Sequence, residues 1–417
     1  MKVLKFGGTS VAGTQQIQRV SQIIDDTNDC KIVVVSALGG VTDNLIDVGQ
    51  LAEDGDKSYE RVLENIANRH RIVCNNLLDD PEDQIQQEIT HIFTQLDSIT
   101  NGIFLLKELT PRTMDLLVSF GEKLSAKILT AYLNKNGCSA EYLDSKEIII
   151  TNNLHNGANI DSELSSQAIK DKIDLSGPIK VVPGFTGQTI SGKTTTLGRG
   201  GSDLTATFIG SVIDADEVQI WTDVDGFMSA DPNKVPDSFS LTSLSYDEAL
   251  ELSYFGAKVL LSPAIQPARD KNIPIRIKNS FNREFPGTLI SEESVPLKNF
   301  AKGITSIDEI ALITIKGSGM VGVKGISARV FSTLADADIN VILISQASSE
   351  QSICVAISPY AADKAKRVLS EEFALEIQTK MVDSIAIETD YSVVAVIGEK
   401  MKKTPGVAGR IFNSLGE

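Results

Sequence analysis

Residues 184–203, G-F-T-G-Q-T-I-S-G-K-T-T-T-L-G-R-G-G-S-D, restrict the fold more than any other stretch of the chain. The β-branched apolar run Ile179 to Val182, closed by Pro183, predicts a buried strand feeding into this segment. Beyond it Leu204, Phe208 and Val212 recur every four residues, with Ile209 and Ile213 alongside, which predicts a helix with one apolar face. Ser202 or Asp203 is expected to cap that helix. A glycine-rich loop opening onto a helix N-terminus offers unpaired amides and the positive end of a dipole, hence a place for an anion. Gly198, Gly200 and Gly201 permit close backbone approach, and Arg199 adds a planar fork suited to a carboxylate or phosphate.

Gly187 to Thr194 also satisfies the P-loop pattern G-x-x-x-x-G-K-T. A P-loop must pass directly into a helix, whereas Lys193 is followed by three threonines and Leu197-Gly198, a poor helix opening. Residues 187–194 therefore read as a hairpin or flap.

At 417 residues the chain has room for two or three domains, and 42% hydrophobic residues suffice for real cores. A net charge of −16 argues against non-specific nucleic-acid or membrane binding. No apolar run reaches the length of a membrane span, and no secretory signal is visible, so a cytoplasmic protein is expected. Cys30, Cys74, Cys138 and Cys354 are scattered without metal-ligand spacing and read as reduced, buried thiols. His70, His91 and His155 are the only histidines and none adjoins another motif, so neither a histidine mechanism nor a bound metal centre is expected.

Taken in order, Val3 to Phe6 is a strand, Gly7-Gly8-Thr9-Ser10 a tight loop, and Val11 to Asp25 helical. Ile32 to Val35 is a second strand, followed by the loop Ser36 to Thr42. Two strand–loop–helix units predict a doubly wound parallel sheet with ligands at the strands' C-terminal ends. Residues 43–108 read as a charged helical lobe, broken at Asp79 to Asp83, with no chemistry of its own. Arg112 to Lys135 is a helix with Gly137 at its end; Glu122 lies off its apolar stripe and by spacing alone is a surface glutamate. Val218 to Thr222 is a strand with Asp223, Asp225 and Gly226 at its C-terminal end, Ser245 to Glu248 a capping box, and Ser262-Pro263 a helix start with Ser262 as cap. Ile273 to Lys278 and Thr288 to Ile290 are the last strands of a first domain, 1–296.

The remainder contains a repeat. Gly317, Met320, Gly325, Arg329, Phe331 and Leu334 recur as Gly398, Met401, Gly406, Arg410, Phe412 and Leu415, at one constant offset (317 to 398, 334 to 415). A strand–loop–helix–strand order starts in both copies, giving domains at 303–385 and 386–417. The second copy reaches Glu417 before its returning strand, and a longer natural chain is expected.

Lys5-Phe6-Gly7-Gly8-Thr9-Ser10, Phe120-Gly121-Glu122-Lys123, Leu197 to Asp203, Trp221-Thr222-Asp223-Val224 and Phe255-Gly256-Ala257-Lys258 occur in that order. Together they resemble the aspartokinases, of the amino-acid kinase fold: a three-layer α/β/α domain with a mainly parallel central sheet. The repeated tail resembles their ferredoxin-like ACT domains. Leu343 to Glu350 and Leu252 to Phe255 are most similar to the kinase part of bifunctional aspartokinase–homoserine dehydrogenases, which implies a dehydrogenase after Glu417.

The resemblance implies ATP-dependent, Mg²⁺-assisted phosphorylation of the L-aspartate β-carboxylate, the first step toward lysine, threonine and methionine. It implies that Lys5, Gly7 and Gly8 hold phosphates, that Asp223 orients the lysines or meets Mg²⁺, and that Thr222 and Lys258 serve the nucleotide. Arg199, Gly200, Gly201, Ser202 and Asp203 would receive the substrate carboxylate, Glu122 its ammonium, with Ser36 and Thr42 lining the same pocket. Asp338, Asn340 and Gln346 would bind an effector amino acid, threonine ahead of lysine, beside a strand that runs along a dimer interface. The chain departs from the family's pattern at Met228, where a tyrosine is usual by the adenine, at Asn233, where an arginine is usual, and at Leu261-Ser262, where His-Pro is usual. The alternatives are glutamate 5-kinase, acetylglutamate kinase, or a catalytically silent amino-acid sensor.

Overall fold

The computed structural model describes residues 1–78, 84–257, 259–293, 301–346, 351–399, 401 and 404–416. The acidic break at 79–83, Lys258, the boundary near 296 and residues 347–350 lie outside them. The chain divides into two compact units, Met1–Gly303 with Ile397–Glu417, and Ile304–Val396.

The first unit begins β1 (Lys2–Phe6), α1 (Thr14–Asp25), β2 (Cys30–Val35), α2 (Val41–Glu53), α3 (Ser58–Leu77), α4 (Gln84–Leu106) and α5 (Pro111–Lys135). It continues with β3 (Ala140–Tyr142), β4 (Ile150–Thr151), α6 (Ser162–Lys172), β5 (Ile179–Pro183), β6 (Thr186–Thr189), β7 (Thr194–Thr196) and α7 (Gly201–Val212). Then come β8 (Glu217–Thr222), β9 (Ser243–Ser245), α8 (Tyr246–Tyr254), α9 (Ser262–Asp270), β10 (Ile275–Asn279) and β11 (Thr288–Ser291).

Eight of these strands form one sheet in the order β3-β5-β2-β1-β8-β10-β11-β9. From β3 to β10 every neighbouring pair is parallel; β11 pairs antiparallel with β10, and β9 lies parallel to β11, so these last two strands run against the other six. Leu4, Phe6, Val33, Val35 and Val181 are fully enclosed, because helices cover a parallel sheet and its strands read as continuous apolar runs. Parallel pairing aligns the C-terminal ends of β5, β2, β1 and β8 along one edge. There the first amide after each strand donates to a carbonyl at the end of the next strand: Gly184 to Val35 at 2.8 Å, Ser36 to Phe6 at 3.1 Å, and Gly7 to Trp221, the penultimate residue of β8, at 3.1 Å.

Residues 186–196 form the antiparallel pair β6–β7, a hairpin whose turn carries an exposed Lys193. The P-loop pattern is thus a hairpin, and the helix after it begins only at Gly201. The expected cap at Ser202 or Asp203 is corrected. Gly200, left-handed at φ 75°, is the N-cap, and both side chains sit inside the first turn, where they make tertiary contacts. Similarly Leu261, not Ser262, precedes α9, while the Ser245–Glu248 capping box of α8 forms as read.

The second unit holds β12 (Gly303–Lys316), α10 (Ile326–Asp336), β13 (Val341–Gln346), β14 (Ser352–Ile357), α11 (Ala362–Glu372), α12 (Ala374–Gln378) and β15 (Ser384–Ile397). Its sheet order, β13-β14-β12-β15, with α10 and α11 packed together, is ferredoxin-like. Ile313, Val330, Leu334, Val355 and Leu369 make its core. The sequence boundary at 385/386 falls within β15. The repeat is visible in the backbone: α13 (Val407–Gly416) starts 81 positions after α10 (407 − 326), and Gly325 and Gly406 precede the two helices at φ 91° and 83°. Burial differs, since Leu334 is enclosed whereas Leu415 is 69% exposed.

Candidate active site

The aligned strand ends gather Lys5, Gly7, Gly8, Ser36, Thr222 and Asp223 on one edge. Lys5, the fourth residue of β1, is buried, and its Nζ lies 2.6 Å from Asp203 Oδ1 in the first turn of α7. Charge attraction rather than an aligned hydrogen bond holds this contact. One residue earlier, Ser202 Oγ accepts from Ser36 Oγ at 3.1 Å. The N-terminus of α7, the positive end of its dipole, is therefore tied to the ends of both β1 and β2. The approach is close enough to demand glycine opposite it: a Cβ on Gly184 would stand 2.6 Å from Ser202 Cβ.

Glu122 overturns the reading from helical spacing. It is 3% exposed, on the face of α5 that meets the loop after β2. A Cβ on Gly121 would lie 2.8 Å from Ala37 Cβ, so glycine lets the helix approach that loop. Ser125 reinforces the contact by donating to Ser36 O at 2.6 Å. Burial pushes the Glu122 carboxyl up to about 8, against the pull of the Ala37 amide, its own amide and the Lys5 ammonium. Its Oε2 has no hydrogen-bond partner. A buried carboxyl oxygen left open is costly without a ligand and suited to an ammonium group.

Arg199 is exposed between Gly198 (φ 73°) and Gly200, and among the described residues it has no ion-pair partner. Gly200 and Gly201 are brought to the same turn, Gly201 opening α7. Thr42 stands in the first turn of α2, half-buried. Asp223 is exposed and accepts from Thr222 Oγ1 at 3.1 Å; the partner of Lys5 is Asp203, not Asp223. Met228 bridges to Ser240 on the excursion between β8 and β9. Asn233, on the same excursion, folds back on Asp231, its backbone and side-chain nitrogens donating to Asp231 Oδ1 at 2.9 and 3.0 Å.

In the second unit Gln346 ends β13 and, with Met320, Gly322, Lys324, Ile326 and Ile353, lines a cavity of about 410 Å³. Asp338 and Asn340 precede the opposite end of that strand, roughly 17 Å away at strand rise. One copy of the unit does not bring these three residues together.

Three features escaped the sequence reading. Asp115 on α5 is completely buried and accepts from Thr196 Oγ1 at 2.5 Å, His155 Nδ1 at 2.6 Å and Asn156 N at 3.1 Å. It thereby pins the 155–157 loop and β7 beside the Arg199 turn. Phe185 adopts φ 67°, strain of the kind that collects at ligand-binding loops. Arg69, within the lobe judged free of chemistry, reaches the loops after β1 and β2. Only Phe185, wedged between two motif glycines, carried a local signal.

The amino acid kinase family matches residues 1–279 and an ACT domain matches residues 313–373. The chain is 36% identical over 426 residues to a bifunctional aspartokinase/homoserine dehydrogenase of Daucus carota, covering 99% of this chain and 46% of the relative. It is 36% identical over 366 residues to aspartokinase 1 of Arabidopsis thaliana, covering 86% of this chain and 63% of the relative. Thus the chain spans about half the length of the bifunctional relatives it matches. Among solved structures it is similar to E. coli aspartokinase III in complex with aspartate and ADP, with a TM-score of 0.86 and 28% identity over 100% of this chain and 91% of that one. The same enzyme in complex with lysine and aspartate gives a TM-score of 0.78, with identical coverage and identity.

Proposed function

From the premise that the chain belongs to the amino acid kinase family, we propose that it transfers the γ-phosphoryl group of ATP to the β-carboxylate of L-aspartate. The single observation that carries the reading is the pairing, on one sheet edge, of a buried lysine with a buried, open carboxyl. Lys5 meets Asp203 in the helix terminus that suits phosphate, and Glu122 keeps a buried Oε2 without a hydrogen-bond partner, as a site for an ammonium group would. The similarity of the whole chain to aspartokinases supports the same reading.

In the reaction a β-carboxylate oxygen bonds to the γ-phosphorus as the bond to the bridging β,γ-oxygen breaks. ADP leaves with the electron pair, and the product is an acyl phosphate. No protein nucleophile takes part, so catalysis is positioning and charge neutralisation. Lys5, with the amides of Gly7 and Gly8, would follow the moving charge. Glu122 would take the substrate ammonium and Arg199 the α-carboxylate, beside Ser36, Thr42, Ser202 and the glycines 200 and 201. Thr222, Met228, Asn233 and Lys258 would serve the nucleotide. Mg²⁺ would enter with ATP. Among the described residues no group of three or more His, Cys, Asp or Glu forms a metal cage, but phosphate-bound Mg²⁺ needs only one or two protein carboxylates, and the exposed Asp223 can supply one.

The same reading makes the ferredoxin-like unit a sensor of an end-product amino acid, threonine ahead of lysine. Strand β13 is a sheet edge with Ile344 56% exposed. A second copy pairing antiparallel there would bring Asp338 and Asn340 of one chain to Gln346 of the other. No helix among the described residues is long and apolar enough to cross a membrane, and buried thiols at Cys30 and Cys74, neither in a disulfide, suit a reducing, cytosolic setting.

Mg-ATP, L-aspartate and hydroxylamine test the proposal. Aspartate-dependent hydroxamate with matching ADP release is expected, absent with L-glutamate or N-acetyl-L-glutamate. ADP release that ignores aspartate, or prefers either alternative acceptor, would sink it.

A further inference from the structure

Arg69 lies on the fourth turn of α3, in a lobe with no residue at the strand ends. Its side chain is half-buried and has no carboxylate partner among the described residues. Instead Nη1 donates to Gly39 O and Nη2 to Ala12 O, each at 2.7 Å. Ala12 closes the loop after β1, which carries Gly7 and Gly8; Gly39 lies in the loop after β2, which carries Ser36 and leads to Thr42. A third bond, Gly39 N to Gly8 O at 3.0 Å, joins the two loops directly. A guanidinium with its two nitrogens on two carbonyls behaves as a rigid spacer, because the fork is planar and both bonds are charge-assisted. Burial of a cation that makes no ion pair is costly, so a stabilising role alone is a weak reason for an arginine here.

We propose that Arg69 is a positioning residue for phosphoryl transfer, fixing the separation of the phosphate-side loop from the acceptor-side loop. The inference rests on the kinase reading above. Each loop keeps its own ligand contacts without Arg69; what is lost is the alignment of the carboxylate oxygen with the γ-phosphorus. The loss belongs in kcat, since misplacement of reacting groups by fractions of an ångström slows chemistry more than it weakens binding.

The test uses the whole 417-residue chain with Arg69→Met, Arg69→Lys and Arg69→Ala. Arg69→Met, which keeps the apolar stem, is expected to lower kcat by about tenfold or more while each KM stays within roughly threefold. Arg69→Lys, able to reach one carbonyl, should fall between. Guanidinium at non-denaturing concentration should restore part of kcat in Arg69→Ala, and equimolar sodium should not. Unchanged kcat, a change confined to KM, or a loss that merely follows the melting temperature would overturn the proposal. Amide exchange gives a readout independent of turnover: in Arg69→Met the amides of residues 8–12 and 39–41 should exchange faster, with those of α3 unchanged. Should the wild-type chain make no aspartyl hydroxamate, the kinase reading falls, and equal loop exchange in wild type and Arg69→Met would still overturn the clamp.

Discussion

The ammonium of Lys5 and the carboxylate of Asp203 face each other at 2.6 Å across the end of the sheet, both nearly excluded from water. Removing one member leaves the other charge buried and uncompensated, at about 3–5 kcal/mol. Lys5→Met should therefore lower the melting temperature and reduce hydroxamate formation by at least about a hundredfold. Asp203→Asn should cost similar stability. Lys193→Ala, on the exposed hairpin turn, should leave both measurements unchanged; loss of activity there would restore the P-loop reading.

Glu122 gives the ligand-free protein a pH signature. Its carboxyl sits at about 8 folded against an ordinary 4.5, so between those values the folded state holds a proton that the unfolded chain has lost. Its contribution to stability is complete below the ordinary value and disappears as pH rises through about 8. Thermal melts from pH 6 to 9 should show a falling midpoint, and Glu122→Gln should flatten it.

Aspartate binding has the opposite dependence. The substrate ammonium needs the ionised carboxylate, so affinity should weaken as pH drops below about 8, approaching tenfold per unit. Calorimetry in buffers of different ionisation heat should detect proton release on binding below that pH. Binding without proton release would remove Glu122 from the ammonium site.

Asp115 holds three donors from two segments that flank the Arg199 turn. Asp115→Ala orphans them and should cost about 2–4 kcal/mol. Asp115→Asn, which keeps one acceptor oxygen, should cost less yet raise KM for aspartate about tenfold, leaving KM for ATP alone. Equal effects on both substrates would show a general packing role.

Gly184→Ala puts a methyl carbon 2.6 Å from Ser202 Cβ. The chain should fold with about 1–3 kcal/mol of strain and lose most activity, because α7 must retreat from Ser36 and Lys5. Full activity in this variant would mean that α7 can shift without consequence.

The apolar runs of β1, β2, β5 and β8 made the parallel sheet legible, since a strand buried on both faces has little choice of residue. The 81-residue repeat made the second unit's strand–loop–helix order legible, and the glycines before α10 and α13 share a backbone conformation. Less was visible at the site. Ser202 and Asp203 have the composition of a helix cap, but their oxygens engage Ser36 and Lys5, and Gly200 makes the turn instead. Glu122 looked like a surface residue because a period of 3.6 describes one interface, whereas α5 is enclosed from several sides. Asp338, Asn340 and Gln346 are close in sequence, but an extended strand sets its ends far apart.

Local chemistry in the sequence alone thus determined the order of strands and helices, the glycine loops, and the residue types able to hold phosphate and carboxylate. Only the tertiary structure decided that Lys5 pairs with Asp203, that Glu122 is closed off from water, and that Arg69 and Asp115 reach into loops far along the chain. Backbone propensity and hydrophobic periodicity act over a few residues, whereas a buried charge takes whatever partner the packing brings within about 3 Å, and that depends on every element at once.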